Sequence, residues 1–177
     1  MKNTLLILGT LLILFSSCRT LVPYTNQMKQ QNGWNEAQLK QIQFYNSHPI
    51  VLQRNLRSNE TSIISGRIKT VDGRQVEEII IKKGTRGVAT AFPDSDRIAV
   101  SFEISDQYFL TFGVDNNRGG RYYLRLYEYR TGQYQRVRYS GQIFDLHPQG
   151  LNAFLQVDQK WINKLQRKVR VAQGRRL

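Results

Sequence analysis

Three patterns of hydrophobic and polar positions succeed one another along the 177 residues. An apolar run extends from Leu5 to Phe15, interrupted only by Gly9 and Thr10. A short stretch follows with helical spacing, in which Leu39, Ile42 and Tyr45 recur three apart. Asn35 suits the N-cap of this helix, and Gln38, three residues on, completes a capping box. Trp34 can pack on Leu39 as a hydrophobic staple. Ser47-His48-Pro49 ends the run, because the residue before a proline avoids the α region. From Ile50 the period drops to two. Ile64, Gly66, Ile68 and Thr70 alternate with Ser65, Arg67 and Lys69, and Asp72-Gly73 is a strong two-residue hairpin signal. Pairing across it sets Arg67 opposite Glu78 and gathers Ile64, Ile68, Ile79 and Ile81 on one face. Further strands are expected over Val88–Phe92, Arg97–Glu103, Tyr108–Val114, Arg121–Tyr129, Tyr134–Tyr139, Gln142–Leu146 and Leu151–Val157. Many short strands at this spacing predict a mainly β chain: a single antiparallel β-barrel or β-sandwich domain preceded by one short N-terminal α-helix. Residues 160–172 read both ways, since Trp161, Leu165 and Val169 suit a helix while Val169 and Val171 suit a strand.

The first run is too short to span a bilayer, which takes about 20 apolar residues. It has the size of the apolar core of an export signal, with Lys2 before it and Ser16, Ser17 and Cys18 after it. Phe15-Ser16-Ser17-Cys18 resembles the lipobox of bacterial lipoproteins, with Phe15 in place of the usual Leu. The resemblance implies cleavage before Cys18, removal of residues 1–17 as a signal peptide, and acyl chains on Cys18. A lipoprotein of this class carries three such chains, and two or more make anchoring effectively stable. Cys18 is the only cysteine, so the remaining chain holds no disulfide. Residues 18–33 read as a lipid-anchored tether, whose 15 residues after the cysteine reach about 50 Å at most. Residues 34–177 then form one β-rich domain with a basic C-terminal tail. The Tyr- and Asn-containing body is similar in style to envelope proteins of Bacteroidota. In Gram-negative lipoproteins, Asp after the lipidated cysteine retains the protein in the inner membrane. Arg19 at that position implies an outer-membrane anchor, and the lack of Asp or Glu from Arg19 to Gly33 implies the periplasmic face.

Charge sharpens the picture. Residues 19–117 carry 12 basic and 10 acidic side chains, whereas residues 118–177 carry 13 and 3. An export signal argues against nucleic acid as the partner. It favours an acidic envelope component such as a protein patch, cell wall or lipid phosphate. A hairpin around Thr131-Gly132 concentrates the charge. Of its two registers, only the one pairing Tyr129 with Tyr134 keeps Leu124, Leu126, Val137 and Tyr139 on one face. The opposite face then gathers Arg121, Tyr123, Arg125, Tyr127, Tyr129, Tyr134, Arg136 and Arg138, which are the candidate binding residues. Tyr127 lies across from Arg136 in that register, and Arg125 across from Arg138.

Nothing in the sequence points to catalysis, a cofactor or a metal. There is no GxSxG, no HExxH and no cluster with metal-ligand spacing, and His48 and His147 each stand beside a proline as turn punctuation. Gly84-Thr85-Arg86-Gly87 and Arg118-Gly119-Gly120 lack the strand-to-helix setting of a phosphate loop. Glu77 and Glu78 are adjacent on a strand and face opposite ways. The expectation is a non-enzymatic binding or scaffold component of the envelope, an accessory of a secretion apparatus being one form. The alternative is a β-barrel carrier of an amphiphilic or glycan ligand.

Overall fold

The computed structural model describes residues 19–56, 66–71, 73–127 and 135–166. Its strands form two antiparallel sheets that do not close into a barrel. The seven-stranded sheet holds β1 (Leu21–Pro23), β2 (Gln43–Asn46), β6 (Arg86–Asp94), β7 (Arg97–Ser101), β8 (Phe109–Asp115), β9 (Arg121–Leu124) and β12 (Leu155–Asp158), in the order β1-β12-β2-β6-β7-β8-β9. The five-stranded sheet holds β3 (Ile50–Asn55), β4 (Arg67–Val71), β5 (Arg74–Ile81), β10 (Gln135–Tyr139) and β11 (Gln142–Leu146), in the order β10-β11-β3-β5-β4. Short helices α1 (Asn26–Asn32), α2 (Glu36–Leu39) and α3 (Gln159–Gln166), with 3-10 turns at Asn116–Arg118 and Pro148–Asn152, complete the described elements.

Turn chemistry and alternation explain the ladders. Gly73 takes φ 74° in the turn between β4 and β5, and Arg67 pairs with Glu78 as expected. Ser140 and Gly141 both take positive φ, 48° and 77°, which is what a two-residue turn between β10 and β11 requires. Inward residues of both sheets build one core. Phe44, Ile98, Val100, Leu110, Phe112, Tyr122 and Leu155 come from the larger sheet, and Ile50, Leu52, Ile79, Val137, Tyr139 and Phe144 from the smaller. The Asn35 capping box is present, with Gln38 N–H donating to Asn35 Oδ1 and Asn35 N–H to Gln38 Oε1, both at 3.0 Å.

Several expectations are corrected. The stretch expected as a tether over residues 18–33 contains β1 and α1. Leu21-Val22-Pro23-Tyr24 is apolar, and Tyr24 is fully buried against Trp34, Phe44 and Tyr122. Pro23 is tolerated because β1 is an edge strand. More than one helix is present, and the helix starting after Asn35 stops at Leu39. Helical spacing ignored Phe44, which sits fully buried, with Tyr45 on the opposite face of β2. Leu151 and Asn152, expected as the start of a strand, belong to a 3-10 turn over Pro148–Asn152, and residues 159–166 are helical. Barrel closure fails where β9 and β10 part into different sheets. Cys18, Ile64, Tyr129, Tyr134 and the tail beyond residue 166 lie outside the described residues.

Candidate functional site

The expected Arg/Tyr face is divided between the outer faces of the two sheets. Tyr127 N–H donates to Arg136 O at 2.7 Å, so the expected register survives there. One turn of chain earlier, however, Arg125 N–H donates to Thr111 O of β8, while Arg138 faces Ile143 of β11. Leu124, Leu126, Val137 and Tyr139 still meet in the core. Both arrangements satisfy the same alternation, which is why alternation alone did not reveal the parting. Arg125 and Arg138 are therefore not ladder partners. Tyr127 stacks under Arg138, with the guanidinium carbon 4.4 Å from the ring centroid, instead of under Arg136. Arg136 pairs with Asp145, Nε to Oδ1 3.3 Å.

On the larger sheet, β9 turns Tyr122 and Leu124 inward and Arg121 and Tyr123 outward. The Arg118 guanidinium carbon lies 3.6 Å from the Tyr123 ring centroid. Tyr123 meets Phe154 edge-on at 5.4 Å, and the guanidinium of Arg121 stands 5.2 Å over Phe154. A β-bridge between Tyr123 and Phe154 fixes this contact, and Ser47 Oγ accepts Phe154 N–H at 2.9 Å. His48 borders the group, its ring 5.8 Å from that of Phe154 and its Nδ1 2.8 Å from Ser47 Oγ. Arg125 lies across Gly113, where a Cβ would collide with its guanidinium, and Nη2 donates to Val114 O at 2.5 Å. Among the described residues no carboxylate stands within ion-pair distance of Arg121 or Arg125. Arg118 reaches Asp115 only at 4.0 Å and donates to Asn152 Oδ1 at 2.9 Å.

The smaller sheet treats charge differently. Ladder pairing aligns Arg136, Asp145, Gln53, Glu78 and Arg67 in one row across all five strands. Glu78 accepts from Arg67 and Lys69, each at 2.8 Å, and from Gln53 at 2.8 Å. Burial raises its pKa, but those hydrogen bonds and the Lys69 charge outweigh it and bring the carboxyl down to about 2. On the inner side of the same strand, Glu77 is fully buried and pairs with Arg54, Nε to Oε2 2.6 Å. The adjacent carboxylates thus face opposite ways, as expected. Burial pushes the Tyr139 phenol up, helped by its hydrogen bond to Glu103, and burial pushes Tyr122 up, helped by Asp96 and Asp94.

Arg118 and Phe154 belong to the site, although the sequence pattern marks Arg118 only as part of a Gly-rich loop and Phe154 only as a strand residue. Arg118 sits in the turn before β9, and Phe154 is brought in from 31 positions beyond Tyr123 by the bridge. No group of three His, Cys, Asp or Glu side chains able to hold a metal occurs among the described residues. In comparisons with protein-family models, with curated proteins and with solved structures, none matches this chain.

Proposed function

We propose that this chain is a non-enzymatic lipoprotein of a bacterial envelope. In this reading it is anchored through Cys18 at the periplasmic face of the outer membrane and serves as a binding or scaffold component. An accessory role in a secretion apparatus is one form of it. The binding surface is the cluster of Arg118, Arg121, Tyr123, Arg125 and Phe154, and its partner is an acidic envelope component. One observation carries the reading: Arg121 and Arg125 are held by a ring, a glycine and a carbonyl, and no described carboxylate neutralises them. Cations ordered in this way are prepaid for an anion, because their side chains lose little further freedom on binding.

The carrier reading is less well supported. A carrier needs a hollow interior, whereas Tyr24, Phe44, Phe112, Tyr122, Tyr139 and Phe144 are fully buried in the described core. The anchor is tested by Cys18→Ala, which should abolish acyl labelling and release the domain into the soluble periplasmic fraction. A wild-type protein without acyl mass, together with a variant that still sediments with membranes, would contradict it.

A further inference from the structure

We infer that the surface beside the anchor, built from Arg19, Arg86, Lys160 and Lys164, rests on anionic lipid headgroups and sets the orientation of the body on its membrane. The inference rests on the reading of Cys18 as lipidated. Folded structure begins at Leu21, which pairs with Asp158, and Gln159 N–H donates to Thr20 O at 3.0 Å. The chain from Cys18 to Leu21 therefore spans about 10 Å at most. A body on so short a lead has no freedom to stand away from the bilayer, and the surface nearest the lead must meet the headgroup layer.

That surface is cationic. Arg19 is exposed and lies over Tyr45, 5.9 Å from the ring centroid, with Nη1 donating to the Tyr45 hydroxyl at 3.4 Å. Arg86 is the ladder partner of Tyr45, shares its outward face and is also exposed. The chain then enters α3 directly after the strand that pairs with β1. Lys160 and Lys164 are four residues apart on this helix and both exposed, so they share a side, while Ile162 is buried. Asp158, the carboxylate closest in sequence, is engaged at the start of the helix, its Oδ1 accepting Lys160 N–H at 2.8 Å. Cations on a lead this short lie within about one Debye length of the headgroups, about 8 Å at physiological ionic strength. Each contributes about fivefold to the flush orientation on an anionic leaflet.

The test uses the full acylated protein extracted from membranes, with the acyl mass on Cys18 measured first. It is then reconstituted into phosphatidylcholine vesicles with or without phosphatidylglycerol. A spin label at Asn163→Cys reports the proposed contact and one at Tyr127→Cys a remote position, each read by accessibility to a water-soluble nickel chelate. The expected result is a label at 163 shielded only in the anionic vesicles and a label at 127 accessible in both. Arg86→Gln with Lys164→Gln should lower the ratio of shielded to accessible label about fivefold per cation removed. Equal accessibility of the 163 label in both vesicles, or shielding untouched by the two substitutions, would overturn the inference while leaving the anchor standing. Absence of acyl mass on Cys18 would overturn the anchor itself.

Discussion

On the outer face of the five-stranded sheet Arg67, Lys69 and Arg136 are answered by carboxylates, while at the β9 edge of the seven-stranded sheet Arg121 and Arg125 are answered by an aromatic ring, a glycine and a carbonyl. Arg67 and Lys69 converge on Glu78, and Arg136 meets Asp145, so the cross-strand row is closed on itself. Arg121 lies on Phe154 and Arg125 across Gly113, so these two are ordered without neutralisation, beside Arg118, which lies on Tyr123 and reaches Asp115 at 4.0 Å. Like residue types in like alternation thus serve two ends. In the row across the five-stranded sheet charge fastens strands to each other, and at the β9 edge it is presented outward. A count of basic residues does not separate these cases, whereas the partners of each guanidinium do.

The comparison breaks most easily at the buried end. Glu77→Gln should cost about 3–5 kcal/mol, since it breaks a buried ion pair with Arg54. By contrast, Arg97→Gln, which removes a pair with Asp94 in which both side chains are exposed, should stay within about 1 kcal/mol. Urea unfolding of the two variants measures both. Comparable losses would mean that burial does not separate these pairs.

Next in size is the segment where the strands part. Leu126 packs against the core and Tyr127 is exposed. Leu126→Asp should lose about 2–4 kcal/mol by burying an unpaired charge, and Tyr127→Ser should lose under about 1 kcal/mol. Equal losses would show that the inward and outward sides at this crossing are assigned wrongly.

Smaller still is the acid response of the five-stranded sheet. The Glu78 carboxyl falls from an ordinary 4.5 to about 2 on folding. A lowered folded value means that the unfolded chain takes up the proton first. The contribution is therefore full above pH 4.5 and is lost as pH falls from there toward 2. Arg67 and Lys69 are 60% and 41% exposed, so solvent screening holds the effect to about 1 kcal/mol. Unfolding titrations of wild type and Glu78→Gln should converge as the pH drops through this window. Parallel curves would remove Glu78 from the account.

Much of this arrangement is legible in sequence where the signal is local. Asp72-Gly73 and the alternation around it set Arg67 opposite Glu78, and Asn35 with Gln38 announces the capping box, because turn and cap chemistry acts over a few residues. The Tyr127–Arg136 pairing is legible because one register alone keeps Leu124, Leu126, Val137 and Tyr139 on one face. What escaped depends on contacts distant in the chain. The parting of β9 from β10 leaves the inward set of Leu124, Leu126, Val137 and Tyr139 unchanged, so no pattern marks it. Phe154 reaches Tyr123 through a bridge, and Arg118 reaches it from a turn. Leu21 to Tyr24 looked like linker because a three-residue edge strand is too short to show a period, although its apolar character was visible.

The central claim is that Arg121 and Arg125, in the cluster around Tyr123 and Phe154, present uncompensated charge to an acidic envelope partner. The most direct measurement is retention of the protein on envelope fragments at low and high salt. It compares, all in a Cys18→Ala background that lacks the acyl anchor, the wild-type surface, Arg121→Gln with Arg125→Gln, and Arg67→Gln as the control from the other sheet. The account predicts that wild type and Arg67→Gln are retained at low salt and released at high salt, since exposed charges are screened beyond about 8 Å at physiological ionic strength. The double variant should fold normally and be lost from the fragments even at low salt. Retention of the double variant equal to wild type at both salt levels would contradict the claim.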